Sequence, residues 1–412
     1  MQQIRQGMEK LLKFVSEHMD MDLSRLILDR KKYPEIDMDL AINCIESRKK
    51  LKGKVQQWYE NPRLVFPLKL SAEQCSSSAT GRYKAELAEK IAGTPCWSIA
   101  DLTGGLGVDT WFFSRKATTV IYNEMQSALC EAARHNFRAL EADNITIVNS
   151  TVTSETCNEV LSSGPDIVYM DPARRGEGGR KVFLIEDCTP DVLTLKDEIF
   201  RHSRHLLIKL SPMADISMVC QRLGSTCREV HVVSSGGECK ELLIWMDREW
   251  NEEYSINAVE LHPDSPVSIF RYKPSEEKSS TATMAARAEG FLFEPGKALM
   301  KAGAYNLICS RAEVGKLGKS THYYVTDSQE KAEGLRQYGK VFRILECQSL
   351  DKRTIKEIGR RYPKAEVTAR NIPMDTDTLR KKLGITSGDD AHIFGLKSDS
   401  LGNLIIAAVR IY

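Results

Sequence analysis

The stretch WSIADLTGGLG, residues 97–107, decides the fold class of this chain. Its first half is apolar and has the length of a buried β-strand, and its second half places three glycines within four residues. Glycines allow the backbone to turn tightly and to approach a ligand closely, and the start of a following helix presents free N–H groups. The stretch therefore predicts a β-strand, a ligand-binding turn and a helix in succession.

Six further apolar runs follow this strand, and helix-length segments separate the runs. The seven strand candidates are Trp97–Leu102, Thr118–Tyr122, Ile145–Val148, Asp166–Met170, His205–Leu210, Glu229–Val233 and Leu242–Met246. Strands that alternate with helices in this way predict a doubly wound α/β sheet.

The flanking regions differ from this alternating part. Residues 1–70 carry apolar side chains at helical spacing, and Asn61-Pro62 with Pro67 closes this helical region. After Trp250 turn and linker residues dominate, and the remainder predicts two small α+β units divided near Gly339. Their cues are strand-like Tyr323–Thr326, Val341–Glu346, Ala365–Ala369 and Leu404–Arg410, with helix-like Lys352–Arg361 and Thr376–Leu383.

Composition limits the class of protein. The chain has 412 residues, of which 42% are hydrophobic and 28% charged, as in soluble globular proteins of several domains. No run approaches the roughly 18 apolar residues that span a membrane. The 11 cysteines include no Cys-x-x-Cys pair, which disfavours a disulfide framework and a structural zinc site and favours a reducing cytoplasm. The eight histidines show no H-E-x-x-H spacing, so we expect no catalytic metal.

Charge is distributed unevenly along the chain. The net charge is only +2, but residues 331–412 hold 16 Lys or Arg against 10 Asp or Glu. A basic C-terminal region suggests a phosphate-rich ligand. A solvated charged surface without a partner explains the same count, and the sequence leaves both interpretations open.

The second motif is Glu124, which ends the apolar segment that follows the glycine turn. An acidic residue about 20 positions after such a turn can accept hydrogen bonds from both hydroxyls of a ribose. A surface glutamate at a strand end is the simpler alternative. The glycine turn is not a dinucleotide fingerprint, because Thr110 stands where G-x-G-x-x-G requires its last glycine.

The third motif is Asp171-Pro172-Ala173-Arg174, directly after the fourth predicted strand. Open α/β sheets build their active sites at the carboxyl ends of such strands, although Asp-Pro is also a common way to leave a strand. The next residues combine three glycines with the cations Arg174, Arg175, Arg180 and Lys181. This composition predicts a loop that gates and binds a phosphate-bearing substrate, with a merely solvated loop as the alternative.

The order D-x-T-G-G-x-G, N-E and D-P-A-R resembles the class I S-adenosylmethionine-dependent methyltransferases, especially those that act on RNA. Residues 76–84 are similar to the segment that covers the cofactor in such enzymes. Over most of its length the chain looks like a bacterial family with a methyltransferase core, a small ferredoxin-like unit and a THUMP-like domain. The resemblance implies an N-terminal helical region (1–70), a seven-stranded Rossmann-like core (71–254), a ferredoxin-like unit (255–338) and a THUMP-like domain (339–412).

The resemblance also implies roles for individual residues. Asp101, Thr103 and the three glycines of the turn, Gly104, Gly105 and Gly107, would line the methionine end of S-adenosylmethionine. Thr103 replaces the first glycine of the motif, which is tolerable if its φ is negative. Asn123 and Glu124 would stand at the ribose, and Asn149 or Ser150 at the adenine. Thr80, Tyr83 and Lys84 would belong to the covering segment, and Asp171 with Pro172 would sit where the methyl group is delivered.

The expected function is methyl transfer to structured RNA, either tRNA or rRNA, in the cytoplasm. Candidate RNA contacts in the C-terminal region are Lys316, Lys319, Arg353, Lys356, Arg360, Arg361, Arg370, Arg380, Lys381 and Lys382. The D-P-A-R motif lacks the second proline and the aromatic residue with which N-methyltransferases hold a planar amine. A protein or small-molecule methyltransferase and a non-catalytic S-adenosylmethionine-binding protein therefore remain alternatives, and the oligomeric state stays open.

Overall fold

The chain forms two compact units in the computed structural model, which describes residues 2–174, 184–263 and 266–411. The first unit comprises Met1–Arg228 and Leu242–Glu252, and the second comprises Glu229–Glu241 and Glu253–Tyr412. None of the helices in the described ranges is both long enough and apolar enough to cross a bilayer.

The first unit begins with a series of helices. They are α1 Gln2–Glu17, α2 Leu23–Leu28, α3 Met38–Leu51, α4 Gln56–Glu60, α5 Lys69–Gln74 and α6 Ser78–Ala92. Asp37 begins α3 by accepting a hydrogen bond from the Leu40 N–H, and Ser77 begins α6 in a reciprocal capping box. Gly93 ends α6 with a φ of 63°. Helices thus continue beyond Pro67 up to the first strand.

Strands and helices then alternate as the sequence predicts. The elements are β1 Ser98–Asp101, α7 Val108–Ser114, β2 Thr119–Asn123, α8 Ser127–Ala139, β3 Ile145–Val148, α9 Ser154–Val160, β4 Ile167–Met170, β5 Ala173–Arg174, β6 Cys188–Thr189, α10 Val192–His202, β7 His205–Leu210, α11 Ile216–Leu223, β8 Cys227–Ser235 and β9 Glu238–Asp247. All seven predicted strands are observed. They belong to the doubly wound α/β fold that the sequence predicts.

The strand order places one functional edge in this sheet. Within the first unit the order is β9-β7-β4-β1-β2-β3, with parallel pairing except between β7 and β9. The chain leaves β1 toward β2 and β3 on one side and later returns to β4 on the other. Ligands bind at such a switch point, outside the carboxyl ends of the strands. Asp101, Glu124 and Asp171 all follow or end strands at this edge.

Besides residues 229–241, which include most of β8 and the start of β9, the second unit holds the remaining elements. They are β10 Ser255–Leu261, β11 Ser268–Tyr272, α12 Pro274–Ser279, β12 Phe291–Pro295, α13 Lys297–Ala302, α14 Leu307–Ala312, β13 Gly315–Lys316, β14 Tyr324–Thr326, α15 Gln329–Leu335, β15 Gly339–Ser349, α16 Lys352–Arg361, β16 Lys364–Arg370, α17 Thr376–Leu383, β17 Thr386–Ser398 and β18 Gly402–Arg410. Seven strands form a sheet in the order β13-β14-β12-β15-β18-β17-β16.

Two helices cover part of this seven-stranded sheet. Ile355 and Ile358 of α16 pack with Leu379 and Leu383 of α17 in one apolar cluster with strand residues such as Ile405. The polar sides of α16 and α17 therefore face away from this core. The predicted helices are both observed, whereas β12 and β17 were not predicted, because a proline ends β12 and the polar residues TSGDD begin β17.

Contact between α6 and α7 requires a glycine at position 81. A Cβ atom on Gly81 would lie 2.3 Å from Cδ2 of Phe112, a distance that side chains do not tolerate. We expect Gly81→Ala to lower the free energy of unfolding of the first unit by about 1–2 kcal/mol, because the Phe112 ring must shift. Urea denaturation followed by circular dichroism measures this change.

Gly7→Ala is the matched control, because Gly7 lies in α1 and a Cβ atom on it would have no heavy atom within 4 Å. This substitution should raise stability by about 0.5–1 kcal/mol through helix propensity alone. Equal stabilisation by both substitutions would contradict the packing that the structure shows.

Candidate functional site

The glycine turn between β1 and α7 is shaped by aromatic side chains beneath it. A Cβ atom on Gly104 would lie 2.2 Å from the Tyr122 ring, and one on Gly107 would lie 2.7 Å from Phe137. Gly107 also has a φ of 91°. The glycines are therefore required by the turn itself, which leaves its upper side without side chains and open to a ligand. Thr103 does not have a positive φ, which meets the condition for a residue other than glycine at this position.

Thr103 connects the turn to the D-P-A-R motif. Its hydroxyl accepts a hydrogen bond of 2.6 Å from the Asp171 N–H and lies 3.5 Å from Oδ1 of Asp101. The Thr103 N–H also donates to Asp101 Oδ1, at 3.1 Å. A glycine at this position would lack the hydroxyl. The departure from the usual motif therefore fixes the ends of β1 and β4 relative to each other.

Asp101 is buried at the end of β1. Burial raises the pKa of its carboxyl to about 7, and the neighbouring charge of Asp109 adds to this effect. The Thr110 hydroxyl opposes the shift by donating a hydrogen bond of 2.6 Å to Asp101 Oδ2. Thr110, which breaks the dinucleotide fingerprint, thus serves to hold Asp101.

Glu124 closes the other side of the glycine turn. Its carboxylate accepts hydrogen bonds from the N–H of Gly105 at 2.9 Å and from the N–H of Gln126 at 2.8 Å. The two asparagines nearby support the loops. The Asn123 amide donates to the carbonyls of Leu102 and Ser150, and the Asn149 amide donates to the carbonyls of Glu124 and Met125.

The segment predicted to cover the cofactor, residues 76–84, contributes Ser76 to the cleft lining. Thr80 completes the capping box of α6, and Tyr83 is buried. Lys84 is fully buried, and its ammonium lies 3.2 Å from Oδ1 of Asp109 and donates a 2.7 Å hydrogen bond to the Ser76 hydroxyl.

Asp109 connects the covering segment, residues 76–84, to β4. Its Oδ2 accepts hydrogen bonds of 2.9 Å from the hydroxyls of Ser76 and Tyr169. Burial alone would raise the pKa of Asp109, but the charges of Lys84 and Lys209, with the hydrogen bonds from Ser76 and Tyr169, outweigh it and lower the pKa.

Asp171 is paired with a lysine from the neighbouring strand. Its Oδ2 lies 2.5 Å from the ammonium of Lys209, which is in β7, and the Asp171 side chain remains 37% exposed. The sequence did not predict Lys209 as a site residue. The sequence feature that could have indicated Lys209 is a cation one residue before the end of a strand with a largely apolar sequence.

A cleft of about 300 Å³ lies at this edge of the sheet. The predicted residues that line it are Asp101, Thr103, Gly104, Gly105, Gly107, Glu124, Ser150 and Asp171. Ser76, Asp109, Met125, Leu129, Val152, Tyr169 and Cys75 line it too. The described lining does not include the predicted residues Thr80, Tyr83, Lys84, Asn123, Asn149 and Pro172.

The predicted substrate contacts belong to two parts of the chain. Arg174 ends β5, and Arg175, Arg180 and Lys181 fall outside the described residues. Arg360, Arg361 and Arg370 are exposed in the second unit, where Arg361 forms an ion pair with Glu346.

The pKa of Asp101 predicts a pH-dependent stability. A carboxyl of this type titrates near 3.9 in an unfolded chain, so between about pH 4 and pH 7 the folded protein retains a proton that the unfolded chain has lost. Wild-type stability should fall over this range as the pH rises, by at most about 4 kcal/mol. The variant Asp101→Asn has no carboxyl at this position and should not lose stability in this way. In urea titrations, its free energy of unfolding relative to that of wild type should therefore increase from pH 5 to pH 8.

Asp109→Asn is the contrasting variant. It leaves the buried Lys84 ammonium without its carboxylate, and it should destabilise the protein at pH 7 by about 3 kcal/mol. A stability difference between Asp101→Asn and wild type that does not change with pH would contradict the raised pKa.

Two domain families match the C-terminal part of the chain. A THUMP domain-like family matches residues 339–408, and a ferredoxin-like domain family matches residues 291–332. A search of curated proteins found no match.

Solved structures resemble the chain to different extents. The crystal structure of an inferred methyltransferase from Porphyromonas gingivalis W83 is 26% identical and covers 99% of this chain and 99% of its own, with a TM-score of 0.87. An inferred methyltransferase from Streptococcus mutans in complex with SAH is 16% identical and covers 39% of this chain and 96% of its own, with a TM-score of 0.30. The predicted resemblance is confirmed: the chain combines a class I methyltransferase fold with ferredoxin-like and THUMP-like domains.

Proposed function

We propose that the first unit binds S-adenosylmethionine in its cleft and that the protein transfers the methyl group to RNA. The observation that carries this proposal is the position of the cleft. It lies at the switch point of a doubly wound sheet, between a glycine turn without side chains and the carboxylates of Glu124 and Asp171. The similarity over 99% of both chains to an inferred methyltransferase supports it.

The cleft residues suit the parts of this cofactor. A carboxylate has about four acceptor positions, so Glu124 can accept from ribose hydroxyls in addition to its two backbone partners. Met125, Leu129 and Val152 offer apolar surface for the adenine, with Ser150 as a polar partner. These residues and the glycine turn would hold S-adenosylmethionine, whose positively charged sulfonium supplies the reactive methyl group.

The methionine end would lie next to Asp101. A cation in the cleft favours the ionised form of a nearby carboxyl, so the raised pKa of Asp101 should fall when a sulfonium binds. The turn and Thr103 keep Asp101 fixed, and Asp171 stands on the next strand to orient the acceptor. Methyl transfer chiefly needs such alignment and exclusion of water, because the displacement is in line.

The second unit would supply affinity for RNA. The outer sides of α16 and α17 carry exposed cations, among them Lys352, Lys356, Arg360, Lys381 and Lys382. Contacts of this kind to phosphates position a nucleic acid without reading its sequence. The THUMP domain-like match includes both helices, and the use of such domains in RNA-modifying enzymes supports the assignment by analogy of fold.

Labelled methyl transfer tests this proposal. The protein is incubated with S-adenosylmethionine carrying a tritiated methyl group and with total RNA from cells that lack the gene, which we expect to become labelled. The double variant Lys356→Glu with Arg360→Glu should reduce kcat/KM for RNA by at least about tenfold, because it replaces phosphate contacts with repulsion.

Lys10→Glu with Lys49→Glu is the matched control, since it changes the net charge equally on exposed positions of the first unit. Equal losses in both double variants would contradict an RNA surface on α16. Label that enters protein but never RNA would contradict the substrate class.

A further inference from the structure

We infer that the methyl acceptor is the oxygen of a ribose hydroxyl in the RNA, not a nitrogen or carbon of a base. The inference rests on the proposed function and names the atom on which it acts. Four observations at the cleft support it: the pair Lys209–Asp171, the linked pair Lys84–Asp109, the aromatic content of the described cleft wall, and the state of Cys75.

Hydroxyl and base acceptors need different groups in the enzyme. A hydroxyl must lose its proton as the new bond to carbon forms, so it needs a proton acceptor that is held in place. A base amine attacks with its own lone pair and can lose its proton after the new bond has formed. It needs chiefly a pocket in which its flat ring can stack. The chemistry of the cleft wall therefore distinguishes the two.

The Lys209–Asp171 pair fits a hydroxyl acceptor. The ammonium of Lys209 is only 14% exposed and fixes Oδ2 of Asp171 at 2.5 Å, while the carboxylate remains 37% exposed at the cleft. Because the Asp171 N–H is bound by the Thr103 hydroxyl, backbone and side chain are both held. Asp171 is thus a fixed carboxylate with access to the bound substrate.

A second ammonium–carboxylate pair, with its lysine fully buried, lies next to Tyr169. Tyr169 lies two residues before Asp171 and donates its hydroxyl hydrogen to Asp109, which is paired with the buried Lys84. Lys209 is near enough to Asp109 to lower its pKa. The cleft residues Asp109, Tyr169 and Asp171 are therefore linked, through the two lysines that pair with the carboxylates, in one polar set. Such a set suits the hydroxyl-bearing sugar better than a flat base.

The described cleft wall offers no platform for stacking a base. Tyr169 is its one aromatic residue, and its side chain is buried with the hydroxyl tied to Asp109. The other large apolar side chains of the described wall are aliphatic or methionine, as at Leu106, Val108 and Met125.

Methylation of a pyrimidine carbon would need a thiolate that attacks the ring. Cys75 is the one cysteine of the described cleft wall, and burial raises its pKa to about 11. Its thiol donates a hydrogen bond to the Ala72 carbonyl at 3.3 Å. Cys75 is therefore a neutral, occupied thiol at physiological pH.

The step balances with groups already at the site. The ribose oxygen bonds to the methyl carbon, and the bond from that carbon to sulfur breaks with its electron pair left on sulfur. Asp171 takes the hydroxyl proton and later releases it to water. The positive charge on sulfur and the negative charge on Asp171 disappear together, so the net charge of the site does not change. Lys209 is a positioning residue that holds Asp171.

The position of a deuterated methyl group tests this inference. RNA methylated with the trideuteromethyl form of S-adenosylmethionine is digested to nucleosides, and tandem mass spectrometry separates the ribose fragment from the base fragment. We expect the three deuteriums on the ribose fragment. Label on the base fragment would overturn the inference and leave the proposed function intact, whereas RNA without label would overturn the proposed function itself.

Substitution of Lys209 tests the role of the pair. Lys209→Met should lower kcat at least about 100-fold, because Asp171 loses the group that positions it, while affinity for S-adenosylhomocysteine changes less than about threefold. Lys209→Arg keeps the cation and should recover part of kcat. Lys116→Met is the control, because it removes the lysine of the pair Lys116–Glu89 outside the described cleft lining.

A Lys209→Met protein with wild-type kcat would contradict the positioning role. If Lys209→Met melts at a lower temperature than wild type, its low kcat could reflect lost stability, and Lys209→Arg separates the two causes. A folded Lys209→Arg protein that is no more active than Lys209→Met would show that the cation does not serve catalysis.

Discussion

The candidate site depends on how the negative charges of three neighbouring aspartates are balanced. These are Asp101, Asp109 and Asp171, at one edge of the first unit. A buried charge without a partner costs several kcal/mol. Lys84 pairs with Asp109, and Lys209 pairs with Asp171. Asp101 retains its proton for much of the time near neutral pH, because burial raises its pKa to about 7. The two lysines balance Asp109 and Asp171, and the proton on Asp101 neutralises the third carboxyl for much of the time.

The same balance connects the fold to the proposed chemistry. A parallel sheet brings the ends of β1, β4 and β7 to one edge, so residues far apart in the chain meet there. Thr103 then fixes the end of β4 to the end of β1 through the Asp171 N–H. In the proposed function, a bound sulfonium would favour the ionised form of Asp101, and the methyl group would lie next to the oriented carboxylate of Asp171. The glycine turn contributes space, and the charged pairs contribute alignment.

The sequence predicts the local parts of this arrangement well. The seven strands of the core follow from short apolar runs, and the glycine turn follows from its spacing. The cleft contains Asp101, Glu124 and Asp171 because each stands at the end of a predicted strand. Such residues are predictable because strand ends share an edge whatever the details of packing. Their partners are not predictable in the same way, since Lys84 and Asp109 are distant in sequence, as are Asp171 and Lys209. Lys84 was predicted as a residue of the covering segment; in the structure it is fully buried, and Asp109 and the Ser76 hydroxyl hold its ammonium.

Titration calorimetry with S-adenosylhomocysteine tests the central claim most directly, by comparing wild type with Glu124→Ala. Glu131→Ala is the matched control, since Glu131 is exposed on α8 and lies outside the described cleft lining. The account predicts one ligand per chain, at least about tenfold weaker binding in Glu124→Ala and unchanged binding in Glu131→Ala. Absence of binding in wild type, or equal binding in all three proteins, would contradict a cofactor site at this cleft.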